Sequence, residues 1–217
     1  MSAYERRFFF RRKKKTERRI HGLPEDGLVS DATVQEDGMS DDETSLREHY
    51  LESVTRELER MKDLAERALA QVGEGKSLHL TLDKESNNIA VLIRHLSGNM
   101  ISRWTDFLTT DGEKPDRHRD GEFEPRPDLT RQELMAIWSR GWNCLLEAIR
   151  ALTPGDLNRR VTIRGQEHSV VEAIHRQLTH YASHVGQIVF LAKHIQSDRW
   201  KPLTIPRGKS EEYFRRK

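Results

Sequence analysis

The chain has 217 residues, with 33% charged and 35% hydrophobic side chains and a net charge of +2. That is enough for one domain of ordinary size, and no apolar run reaches the roughly 20 residues of a membrane span. The basic start MSAYERRFFFRRKKKTERR lacks an apolar segment after it, so it does not read as a secretory signal. A single cysteine, Cys144, excludes an internal disulfide framework and fits a reducing cytoplasm.

Residues 1–19 hold nine Lys/Arg against Glu5 and Glu17, while residues 22–46 hold eight Asp/Glu. Neither stretch has helical periodicity, so residues 1–41 are expected to be a disordered charged tail. Met39 offers an alternative start just before the periodic pattern. Residues 6–19 resemble a polyanion-binding arm in composition, but nothing downstream depends on them, and neither nucleic acid nor a membrane is expected as a partner.

From about residue 42 the period becomes 3.6, with Leu46, Tyr50, Val54, Leu58, Met61, Ala65, Ala68 and Val72 on one stripe. This predicts a first helix near 42–72, ended by Gly73 and Gly75. SLHLTL (77–82) alternates and is expected to be extended. A second helix is predicted near 84–110, with Ile89, Leu92, Ile93, Leu96, Met100, Trp104 and Phe107 facing inward. Residues 111–129 form a long polar connection rich in Gly and Pro. Thr130 to Glu133 reads as a capping box opening a third helix near 130–152, and Ser169 to Glu172 as another opening a fourth near 169–195. Between them RRVTIRGQEH suits a small hairpin or an extended arm. Trp104, Trp138 and Trp142 read as core, and Cys144 as a small buried hydrophobe. Four helices without convincing strand pairing predict an all-α fold, a four-helix bundle over residues 42–197, with a C-terminal extension at 198–217.

On the fourth helix His180 and His184 stand one turn apart, a spacing that lets two imidazoles share one metal ion. At 100° per residue, His184 lies roughly 40° from His180, and the apolar residues between roughly 80° and 180°. The pair therefore borders the buried stripe. His175 and Lys193 fall on the solvent side. On the second helix His95 borders its own stripe, with Asn99 beside it. If these helices are neighbours, three neutral imidazoles converge on one divalent ion and leave positions open. Hydrogen-bonded structural histidines would give the same pattern. Asn99 and Gln187 are candidates to orient His95 and His184. Arg103, Asp106, Asp111, Glu113 and Lys114 either border a pocket for a polar substrate or form salt bridges and caps. His118 has no paired ligand.

His95 in IRHLSGN, His180 and His184 in HYASHVGQI, and the stretches HLSGNMISRWTDFLTTDGEKP, RDGEF and QLTHYASHVGQIVFLAKH carry a resemblance. Over residues 42–195 the chain resembles the DinB-like (DinB/YfiT) superfamily of metal-dependent four-helix-bundle proteins, within a bacterial branch of unknown function. The resemblance implies a divalent metal held by His95, His180 and His184, and an imidazole donor set suits Zn, Ni or Fe. The resemblance also implies use of a low-molecular-weight thiol such as mycothiol or bacillithiol with a small electrophilic substrate. The expected function is thus a thiol-dependent S-transferase or a hydrolase. The alternative is a non-catalytic bundle that binds metal or dimerises.

Overall fold

A computed structural model describes residues 40–73 and 75–215. The expectations for the charged tail and for Met39 lie outside the described residues. The elements are α1 (Asp41–Leu69), α2 (Ile89–Trp104), α3 (Arg131–Arg150), β1 (Arg160–Ile163), β2 (Gln166–Ser169), α4 (Val170–Gln196) and a short α5 (Ser210–Arg215), with single 3-10 turns between them. The fold is predominantly helical.

Each N-terminus of the four long helices carries an oxygen-bearing cap. Ser40, Asn88, Thr130 and Ser169 accept the amide N–H groups of Glu43, Val91, Glu133 and Glu172, and both expected capping boxes are formed. Such caps satisfy amides that the helix itself leaves unpaired. The second helix is shorter at both ends than its periodicity suggests. At its start, Asp83 accepts the amides of Glu85 and Ser86 and holds 83–86 in a turn. At its end, Asp106 takes a positive φ of 47°.

Each of α1 and α2 packs against both α3 and α4. The apolar stripes meet in one continuous core in which Leu58, Leu92, Leu96, Met100, Leu134, Trp138, Trp142 and Tyr181 are fully enclosed. Burial of this kind stabilises by about 1.5–3 kcal/mol per large apolar side chain. The crossing of α2 and α3 is close because residue 141 is glycine: a Cβ there would stand 2.6 Å from the Ser97 Cα. The Ser97 hydroxyl donates to the Ile137 carbonyl across the same contact, at 2.7 Å. The expected tryptophans are all core residues. Leu46, by contrast, is 68% exposed.

One local expectation needs correction, and one open alternative is decided. Residues 77–82 are not extended: Gly75–His79 is a 3-10 turn, with only Leu78 buried and Leu80 and Leu82 facing out. Among the described residues no strand pairs with this stretch, and the His79 ring bonds the Leu129 carbonyl at 2.9 Å. Of the two forms expected for RRVTIRGQEH, the hairpin is the one observed, antiparallel with Ile163 opposite Gln166. Arg164 and Gly165 both have positive φ, 55° and 72°, the backbone of a two-residue type I′ turn.

The hairpin is tied to the long connection after α2. Asp111 accepts the amides of Arg164 and Gly165, at 2.9 and 2.8 Å, and the Gly112 amide donates to the Thr162 carbonyl at 2.8 Å. Residues after α4 return to α1: the Gln71 amide exchanges two hydrogen bonds with the Lys201 backbone, and Arg67 donates to the Leu203 carbonyl. No described helix is long and apolar enough to cross a membrane.

Candidate metal centre

His95 leaves the middle of α2, and His180 and His184 leave successive turns of α4, the helix packed against it. The three rings meet edge to face, with centroids 4.7–5.3 Å apart. His180 Nε2 lies 3.2 Å from His95 Nε2 and 3.1 Å from His184 Nε2. Among the described residues these three form the one group of metal-ligating side chains close enough to share an ion.

The far side of two rings fixes their tautomers. His95 Nδ1 donates to Glu122 Oε2 at 2.8 Å, and His184 Nδ1 donates to Gln187 Oε1 at 2.9 Å. With the ring uncharged, each of those imidazoles turns its Nε2 lone pair toward His180. A proton on His180 Nε2 satisfies only one of them, so lone pairs accumulate at the centre. One cation resolves that conflict. Nitrogens held about 2.0–2.1 Å from one ion, at angles between octahedral and tetrahedral, stand about 2.8–3.4 Å apart. The two separations from His180 fall inside that interval and all three ligand atoms lie within 4.8 Å of one another, so the residues fit a divalent ion.

Burial, with His184 and His95 close by and Arg117 and Arg103 beyond, lowers the His180 pKa to about 3. Burial likewise lowers that of His184, against the hydrogen bond to Gln187. Both rings are thus kept neutral, the state a metal ligand needs.

Glu122 is the residue that sequence reasoning missed. It comes from a 3-10 turn, Asp120–Glu122, in the connection between α2 and α3. Two features put it against α2. Arg94 reaches out from α2 to the carbonyls of Gly121 and Glu124. Gly98 leaves the space: a Cβ there would stand 2.2 Å from Glu122 Oε1. Arg117 then clamps both carboxylate oxygens, Nε to Oε1 at 2.8 Å and Nη2 to Oε2 at 2.9 Å. Burial opposes the Glu122 charge, but the hydrogen bonds from His95 and Arg117 outweigh it and hold the pKa below the usual carboxylate value. Phe123 follows and packs on the His95 ring, centroids 4.7 Å apart. A glycine inside a helix costs about 1 kcal/mol relative to alanine, so Gly98 within an otherwise strong helix was the available signal.

The remaining candidates separate. Gln187 orients His184 as expected, but Asn99 does not orient His95: its Oδ1 accepts from the Tyr181 hydroxyl at 3.1 Å, which in turn accepts from Trp104 Nε1 at 2.9 Å. Asp111 clamps the hairpin, and Asp106 supplies a carbonyl to the amides of Thr109 and Thr110. Lys114 reaches back to Thr110 and the Asp111 carbonyl. Glu113 pairs with Arg103, Arg117 and Arg164. Arg103 lines a cavity beside the histidines. His118 stands outside the cluster. Cys144 is half-buried rather than enclosed, 3.5 Å from the Thr105 hydroxyl.

Comparison with known families gives one match. The model of a family described as "Protein of unknown function (DUF1572)" matches residues 45–209. The chain belongs to the DUF1572 family. The DUF1572 match takes in α1 from residue 45 onward, all of α2, α3 and α4, the hairpin and the Glu122 turn, and so contains every residue of the centre. A search of curated proteins returned no match.

Proposed function

We propose that this DUF1572 chain is a divalent-metal-dependent enzyme on a DinB-like four-helix bundle, with His95, His180 and His184 as ligands. The approach of His95 Nε2 and His184 Nε2 to within 3.1–3.2 Å of His180 Nε2 carries the reading, because the two outer rings have their lone pairs fixed toward the centre by Glu122 and Gln187. Three neutral nitrogen ligands leave the charge of a dication uncompensated and coordination positions free, which suits a catalytic rather than a structural site. Zinc, nickel or iron agrees with an imidazole donor set.

A bound ion would supply Lewis acidity that lowers the pKa of a thiol or a water. The chain's own groups favour thiol chemistry. Hydrolysis commonly uses a free carboxylate or imidazole to move protons, and Glu122 is not free: Arg117 and His95 occupy both its oxygens. Its work is to hold the His95 tautomer, as acidic partners of metal-binding histidines do. Transfer of a low-molecular-weight thiol to a small electrophile needs no such base once the thiol has ionised. The sulfur attacks the electrophilic carbon, the leaving group departs with its electron pair, and the thiol proton goes to solvent.

The test is elemental analysis of purified protein, followed by assays of thiol–electrophile pairs with the metal-loaded and chelator-treated forms. Bound metal with metal-dependent thioether formation supports the reading. Metal-loaded protein that hydrolyses esters or amides but transfers no thiol would move it to the hydrolase class.

A further inference from the structure

A cavity of about 450 Å³ opens directly beside the histidine cluster, sharing His95 and His180 with it. Five arginines line it: Arg103 from α2, Arg117 and Arg119 from the connection, Arg164 from the hairpin turn and Arg176 from α4. The remaining lining is Asn99, Thr179 and Ser183, with no aliphatic side chain. Small-molecule pockets are ordinarily mostly apolar with few polar groups. This one is lined by charged and polar residue types, the arginine stems supplying much of its apolar surface.

The local carboxylates do not balance these cations. Glu113 is shared among Arg103, Arg117 and Arg164, and Glu122 serves Arg117 and His95. Asp120 stands 3.6 Å from Arg119 at an exposed position. Arg176 pairs with no carboxylate among the described residues. Arg103 is the most telling: it is 3% exposed, its Nε and Nη1 find no acceptor among the described residues, and its approach to Glu113 is a long 3.7 Å. Gly112 keeps room for it, since a Cβ there would stand 2.7 Å from Nη1. A buried guanidinium with two unsatisfied nitrogens is costly unless an anion completes it. Its burial, with Arg176 and Arg164 nearby, lowers its pKa, against the pull of Tyr181 and Glu113.

We propose that this cavity is the substrate site and that it takes a small molecule through an oxyanion group, a phosphate or a carboxylate. The planar guanidinium fork suits both groups, with paired N–H donors. Arg103 and Arg176 bind the oxyanion, and the part of the molecule beyond it lies against His95 and His180. That placement rests on the metal reading; the anion site itself does not.

The test uses the full chain after chelator treatment, with inorganic phosphate and succinate as probes in calorimetric titrations. The Arg164→Ala/Arg176→Ala double variant changes two exposed lining residues, and Arg56→Ala/Arg60→Ala removes the same charge from exposed positions on α1. Binding of either probe to the unaltered chain, weakened at least about tenfold in the cavity variant and unchanged in the α1 variant, is the expected result. Preference for phosphate or for succinate tells which oxyanion the substrate carries. Absence of binding, or equal binding in both variants, overturns the proposal. Metal content is measured on the same samples. Arginine-dependent anion binding by a chain that takes up no metal sinks the metal reading alone, and metal uptake without anion binding sinks this one alone.

Discussion

Substituting Gly98 by alanine tests how the centre is built, because residue 98 touches no candidate ligand. The added methyl would stand 2.2 Å from Glu122 Oε1 and 2.8 Å from its Cδ. A free glutamate would swing aside at little cost. This one is held by His95 and by two bonds from Arg117, and is 9% exposed. Displacing it releases the His95 tautomer. Loss of such a supporting bond lowers metal affinity by about 10- to 100-fold, equivalent to about 1.4–2.7 kcal/mol. In the opposite direction, alanine gains about 1 kcal/mol of helix propensity over glycine. Helicity should therefore be retained while metal affinity falls. Competition with a chromophoric chelator measures the affinity, and far-UV circular dichroism the helicity. An affinity within twofold of the unaltered chain would refute the claim that Glu122 positions His95.

Glu122→Gln should weaken metal binding as well, and it should destabilise the fold by about 2–3 kcal/mol, since Arg117 loses its buried counter-charge and keeps only Glu113; a thermal melt reads this. Gly141→Ala should destabilise by about 1–3 kcal/mol despite the better helix propensity, because its methyl meets α2 backbone at Ser97, which cannot swing away; urea unfolding checks it. In the metal-free chain, His180 has a folded pKa of about 3 against 6.5 when unfolded, so the unfolded state takes up the proton first and stability should fall as pH drops below about 6.5 toward 3. His180→Asn should remove part of that slope between pH 6.5 and 5, seen as a smaller shift in melting temperature.

What the sequence made legible was local. Stripes of period 3.6 and the Thr130 and Ser169 capping boxes depend on residues a few positions apart, and the helices begin where those caps stand. The wheel position of His95, His180 and His184 is also local, needing only that α2 and α4 be neighbours. Glu122 was not legible in the same way. Its place depends on Arg94 holding carbonyls 27 and 30 residues away and on space left by Gly98. Asn99 shows the opposite error: its direction beside His95 was readable, but its partner, Tyr181, comes from another helix. The five cavity arginines are scattered over residues 103–176 and gather only because α2, α4, the hairpin and the connection meet there. SLHLTL alternates like a strand, but alternation needs a partner edge, and no described strand pairs with it.

The most direct measurement is the metal content of the purified chain beside that of His184→Ala, with circular dichroism on both. His184 is only partly buried and its removal leaves the α4 stripe of Tyr181, Val185 and Ile188 in place. A three-histidine centre predicts about one divalent ion per chain in the unaltered protein, most of it lost in the variant, with helicity unchanged. No metal after exposure to zinc, nickel and iron salts, or equal metal in both proteins, would contradict it.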